Sequence, residues 1–188
     1  MNIIAFTGAG ISKSAGIPTF EEVPNLKEKL SVEFKEAHPK EFSEAMDNLV
    51  NAVKDKEPTQ AHYALATLPI PIITMNIDGL HQKAGSRLVL EIHGNYKKDN
   101  IVLYGQDIHY IQEVVNLMLK TAAEAKLDEQ KAIFLVIGTS MQTQFACTLA
   151  GLAERLGMEV HFINENADIE VPKFINEHVF LPKGDKNG

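Results

Sequence analysis

Apolar runs compatible with buried strands occur at residues 2–6, 70–74, 88–92, 101–104, 132–137 and 158–163. Several are rich in Ile and Val without polar alternation, the pattern of strands covered on both faces in a parallel sheet. Between them the apolar positions change to helical spacing. Phe42, Ala45, Met46, Leu49, Val50 and Val53 share one face at i, i+3, i+4, i+7 intervals. Ile108, Ile111, Val114, Val115 and Met118 form a second stripe, and residues 143–156 a third that Gly157 closes as a C-cap. Strands and helices alternating in this way predict an α/β fold with a doubly wound, mostly parallel sheet. Residues 21–67 break the alternation, with helical stretches near 24–35, 40–54 and 60–67 and no strand. They read as a helical insertion or lid after the first strand of a single domain spanning 1–188, with a frayed tail at 183–188.

Composition narrows the class. The chain has 188 residues, 45% hydrophobic and 23% charged, as in an ordinary soluble globular protein. A net charge of −7 without a dense Lys/Arg block argues against nucleic acid or anionic membrane as a partner. Cys147 is the only cysteine, so no intrachain disulfide and no Cys-rich zinc site can form. No apolar run reaches membrane-spanning length and no secretory signal is recognisable, which makes the cytoplasm the expected location. Nothing in the pattern specifies an oligomeric state.

The chemistry concentrates where strands end. Gly8-Ala9-Gly10 follows the first strand, as in a dinucleotide loop, but Lys13 stands where the third glycine of that fingerprint belongs. Such a loop lets backbone approach a phosphate, with Ser12 and Ser14 as hydroxyl donors; the alternative is a tight turn without a ligand. The acidic residue expected about 20 positions on falls at Glu28 or Glu33, inside a helical pattern, which disfavours ordinary hydride transfer. Asn76 and Asp78 end the 70–74 run, suited to holding a water, ribose hydroxyl or carboxamide, or else to capping the next helix. His93 ends another strand and is either a general base or a structural histidine. Gly138, Thr139 and Ser140 form a second strand-to-helix turn, and Asn164 and Glu165 end a further strand with groups able to grip a ribose. His62, His81, His109, His161 and His178 read as structural or surface residues.

The segments "GAGIS", "GIPTF", "PTQAH", "TMNIDGLHQKAG", "HGN", "IVLYG", "GTSMQT" and "IN" occur in that order over residues 3–165. In order and content they resemble the sirtuins, NAD-dependent protein lysine deacylases. The resemblance implies a Rossmann-like fold and assigns roles to the matching positions. Gly8, Ala9, Gly10 and Ser12, with Gly138, Thr139 and Ser140, would line the NAD diphosphate and ribose site, and Asn164 and Glu165 would face the adenosine end. Ile17, Phe20, Asn76, Ile77 and Asp78 would hold and shield nicotinamide, with His93 as catalytic base. Val102 and Tyr104 would flank an acyl-lysine tunnel, and backbone around Val102 and Gly105 would pair with an extended substrate peptide.

The chain departs from the family pattern in four places. Thr19 and Glu21 stand for the Asp and Arg of "GIPDFR", and Met75 for the Gln before "NID". The four-cysteine zinc ribbon is missing, since only residues 96–100 separate Asn95 from Ile101. The resemblance thus implies a compact, metal-free enzyme with a reduced helical small domain, releasing nicotinamide and O-acyl-ADP-ribose. The alternatives are protein ADP-ribosyl transfer or NAD hydrolysis at the same site, and a non-catalytic NAD or ADP-ribose sensor.

Overall fold

The computed structural model describes residues 2–19, 22–139 and 144–180. Strands β1 (Ile3–Thr7), β2 (Ile72–Thr74), β3 (Val89–Glu91), β4 (Ile133–Ile137) and β5 (Glu159–Ile163) form a parallel sheet in the order β3-β2-β1-β4-β5. Helices α1 (Leu26–Lys29), α2 (Val32–Ala37), α3 (Pro39–Val53) and α4 (Gln60–Ala66) separate β1 from β2, and α5 (Leu80–Lys83) separates β2 from β3. Helices α6 (Ile111–Leu127), α7 (Gln144–Arg155) and α8 (Ala167–Ile175) follow β3, β4 and β5 respectively.

The lack of polar alternation in the strands has a direct structural cause, because both sheet faces are covered. Ile3, Ala5, Ile72, Ile133, Leu135 and Ile137 point to one face and pack with Ala61 and Leu65 of α4 and Val171 and Phe174 of α8. Their chain neighbours Ile4, Phe6, Ile73, Phe134 and Val136 point to the other, against Val114 and Met118 of α6 and Ala146, Leu149 and Ala153 of α7. Each fully buried large side chain here contributes roughly 1.5–3 kcal/mol. The doubly wound arrangement expected from the sequence is therefore the observed one. Among the described residues, no helix is long and apolar enough to cross a membrane.

Two expectations need correction. The apolar run 101–104 is not a strand: it is a loop with one isolated bridge, Ser31 to Tyr104. The stripe beginning at Ile108 becomes helical only at Ile111, after Tyr110 turns the chain with φ 62°. Gly157 does end α7 as expected, with φ +77° and its N–H donating to the Glu154 carbonyl. The tail 183–188 lies outside the described residues.

Candidate active site

Strand order reverses between β1 and β4, whose carboxyl ends lie side by side with Thr7 opposite Ile137. Open α/β sheets bind ligands at such a switch point. The two glycine turns that follow these strands interlock. Gly8 N–H donates to the Ile137 carbonyl at 3.0 Å and Gly10 N–H to the Gly138 carbonyl at 2.8 Å. A Cβ on Gly10 would lie 2.6 Å from the Gly138 Cα, and one on Gly138, at φ +59°, would lie 2.3 Å from the Ile11 nitrogen. The glycines are thus required by close packing of the two turns, which brings their backbones to one place at the mouth of a cleft.

Beyond β1 the chain forms a 3-10 helix, Ala9–Ala15, that carries Ser12 inward. Ser12 departs from its expected role. Its side chain is buried and its hydroxyl donates to Asp78 Oδ2 at 2.7 Å, while Asn76 Nδ2 donates to Ser12 Oγ at 3.2 Å and to the Gly8 carbonyl at 3.1 Å. Ser12 therefore organises Asn76 and Asp78 instead of presenting a donor to the cleft. The capping alternative for Asp78 also holds in part, since Oδ1 accepts the Leu80 N–H at 2.9 Å. Burial pushes the Asp78 carboxyl above its ordinary value, opposed by these hydrogen bonds. Ser12, Asn76, Asp78, Ile17 and Ile77 border a cavity of about 300 Å³ whose other wall is apolar, with Leu26 of α1 and Ala45, Leu49 and Val53 of α3.

His93 lies just past β3, half-buried, with Nδ1 3.1 Å from the Met75 carbonyl. A carbonyl only accepts, so the ring proton resides on Nδ1 and the Nε2 lone pair remains for a base. Burial lowers the His93 pKa below its ordinary value; the Met75 carbonyl opposes this and nearby His109 adds to it. The neutral, proton-accepting form is favoured near neutral pH.

A larger cleft of about 1010 Å³ adjoins this cavity, and Ala9, Asn76 and Ile77 line both. Along the cleft the structure brings together Gly8, Gly10, His93, Gly138, Thr139 and Asn164. Asn164 Oδ1 accepts the Thr139 N–H at 3.1 Å, which joins the ends of β4 and β5. Glu165 is exposed next to Asn164 and does not line the cleft. Phe20, Glu21 and Ser140 lie outside the described residues.

Val102, Tyr104 and Gly105 also line the cleft. The backbone pairing expected there is partly used within the chain. Val102 N–H donates to the His93 carbonyl at 3.0 Å, Tyr104 N–H to the Leu30 carbonyl at 2.9 Å, and Tyr104 O accepts from Val32 N–H at 3.0 Å.

Sequence reasoning missed several contributors. Lys13, Thr19 and Glu22 line the cleft, as do Leu49 from α3 and Phe145 and Thr148 from α7. Nothing in the sequence sets Leu49 apart from the rest of the α3 stripe; only the structure shows that Ala45 and Val53 alone of that stripe are buried.

Comparison with known proteins supplies the family. Residues 8–103 match the model of the Sir2 family. The NAD-dependent protein deacetylase of Sulfolobus acidocaldarius is 28% identical over 235 residues, spanning 97% of this chain and 88% of that protein. That alignment is longer than this chain, so the relative carries inserted segments. The NAD-dependent protein deacetylase of Thermodesulfovibrio yellowstonii is 30% identical over 203 residues, spanning 86% of this chain and 78% of that protein. Among solved structures, a Sir2 complex with a p53 peptide and NAD+ superposes with a TM-score of 0.77 at 24% identity, covering 93% of this chain and 92% of that one, a likeness of fold.

Proposed function

This chain belongs to the Sir2 family, and on that premise we propose that it is an NAD-dependent protein lysine deacylase acting in the cleft beside His93. The observation that carries the reading is a half-buried histidine with its Nε2 lone pair unspent, in the cleft that also holds the glycine turns and Asn76. A pure binder does not need such a base.

The residues fit NAD as co-substrate. Ala9, Gly10 and Gly138 offer backbone with little or no side chain to one end of the cleft, and Thr139 and Asn164 offer polar contacts beside them. The adjoining cavity combines apolar walls with Asn76 and Asp78 at its base, which suits a flat ring bearing a carboxamide. When bound, NAD supplies an anomeric carbon from which nicotinamide departs as the acyl oxygen attaches.

The chain's own residues orient the partners and move protons. Ser12 holds Asn76 and Asp78 against each other, so polar groups stand beside the apolar Ile17 and Ile77 where the leaving group would be held. His93 accepts a proton at Nε2 from a ribose hydroxyl, a role worth on the order of 100-fold or more. Val102, Tyr104 and Gly105 bound the acyl-lysine side. The closest test is product analysis: nicotinamide, deacylated peptide and O-acyl-ADP-ribose should form in equal amounts from NAD and an acyl-lysine peptide.

Met75 favours a second reading. Its side chain packs near Gly8, where Met75 Cε would lie 3.1 Å from a Cβ on that glycine, and it replaces an amide with a thioether beside the reacting region. Under that reading nicotinamide is released without acyl-peptide, and the ADP-ribosyl group passes to water or protein.

A further inference from the structure

A dinucleotide diphosphate brings two negative charges into a protein that itself carries −7. Among the described residues that line the larger cleft, Lys13 is the one lysine and there is no arginine. Lys13 sits three residues beyond Gly10 on the same 3-10 helix. Its ammonium does not stand free: Nζ lies 2.7 Å from Glu22 Oε1. The other oxygen of the same carboxylate, Oε2, accepts the Thr19 N–H at 2.8 Å. One acid thus holds both the cation of the cleft and the loop beyond Gly16, and Lys13, Thr19 and Glu22 all border the same space.

The Lys13 and Glu22 side chains are 63% and 42% exposed. An ion pair so exposed is weak and exchanges readily. A diphosphate offers an ammonium several strong acceptor oxygens and a higher charge than one carboxylate does. Glu22, in contrast, repels such a ligand from the position it now occupies.

We propose that Lys13 is a ligand of the dinucleotide diphosphate and that Glu22 competes with the dinucleotide for it, so that binding exchanges one anion for the other. The assignment rests on the dinucleotide reading above and adds a residue that the glycine pattern does not name.

The test is calorimetric titration of the whole protein, its K13M variant and its E22Q variant with NAD, with ADP-ribose, and with nicotinamide as the ligand lacking phosphate. Both side chains are exposed, so both variants should melt with the unaltered protein. The exchange predicts opposite signs for the two substitutions. K13M should weaken NAD and ADP-ribose by about tenfold and flatten the dependence of affinity on salt. E22Q should tighten both ligands by about threefold, since the lysine no longer has a charged competitor. Nicotinamide should respond to neither. Weakening by both substitutions would make the pair only a structural tie and overturn the proposal, as would no change in either. Failure of the unaltered protein to bind NAD or ADP-ribose would refute the dinucleotide reading itself, a result seen without any variant.

Discussion

Acidification should unfold this protein through two buried histidines that sequence reading set aside as structural. His62 and His81 are buried side by side with ring centroids 4.6 Å apart. Thr59 N–H donates to His62 Nδ1 at 3.2 Å, and His81 Nε2 lies 2.9 Å from Thr7 Oγ1, whose hydroxyl donates to Thr74. Burial lowers the His62 pKa to about 4, with Asp168 opposing, and holds His81 well below its ordinary value, with His62 adding to the effect. In the unfolded chain both titrate near 6.5. Between those values the unfolded state binds more protons than the folded one, so stability is full above pH 6.5 and falls as pH drops toward 4. At about 1.4 kcal/mol per pKa unit, His62 alone removes roughly 3 kcal/mol by pH 4, and His81 acts with the same sign. Against a typical total of about 5–15 kcal/mol that is a large loss. The assay is urea denaturation at intervals from pH 7.5 to 4.5, comparing the unaltered protein with the H62N/H81Q double variant. Asn keeps the acceptor at the Nδ1 position and Gln the donor at the Nε2 position, so the hydrogen bonds persist and the titration goes. The variant should be weaker at pH 7.5, because it packs less well, yet show a distinctly shallower loss below pH 6.5. Parallel pH slopes for the two proteins would refute the reasoning.

Three further outcomes follow from the site. Gly138→Ala should cost about 2 kcal/mol or more in thermal or urea unfolding, because it combines a left-handed backbone with a Cβ 2.3 Å from the Ile11 nitrogen; an unchanged midpoint would show that the turns can separate. Ser12→Ala leaves Asp78 without its hydroxyl donor and should destabilise by about 1–3 kcal/mol while weakening nicotinamide inhibition, measured as a raised inhibition constant. Glu91 is buried, accepts from Asn95 Nδ2 and pairs with Lys98 at 2.6 Å, closing the short turn after His93. Glu91→Leu should therefore destabilise by about 1–3 kcal/mol and lower kcat with little effect on the affinity for NAD.

Much of this was legible along the chain because burial on both sheet faces leaves a plain mark. Ile3, Ile4, Ala5 and Phe6 are all apolar because alternate residues meet different helices. The same reasoning misassigned 101–104, where Ile101, Val102 and Leu103 are apolar because they line the cleft. An apolar run records burial or a binding wall without distinguishing them. Gly8, Gly10 and Gly138 were recognisable as special positions, but their reason, two turns locked together across β1 and β4, exists only once the strands are neighbours. Ser12 looked like a donor to ligand because its partner Asp78 is 66 positions away. Lys13 and Glu22 carry no periodic signal, and their pairing depends on the reversal of the chain at Gly16.

The central claim is that His93 serves as the base of an NAD-dependent deacylation in this cleft. Its most direct measurement is kcat/KM for an acyl-lysine peptide at saturating NAD, as a function of pH, in the unaltered protein and in His93→Ala, with NAD affinity measured alongside. The account predicts an acidic limb with its midpoint below 6.5, following the direction of the His93 shift. It further predicts a loss on the order of 100-fold or more in the variant and NAD affinity retained within about threefold. Turnover by His93→Ala at the original rate, with the acidic limb unmoved, would contradict it.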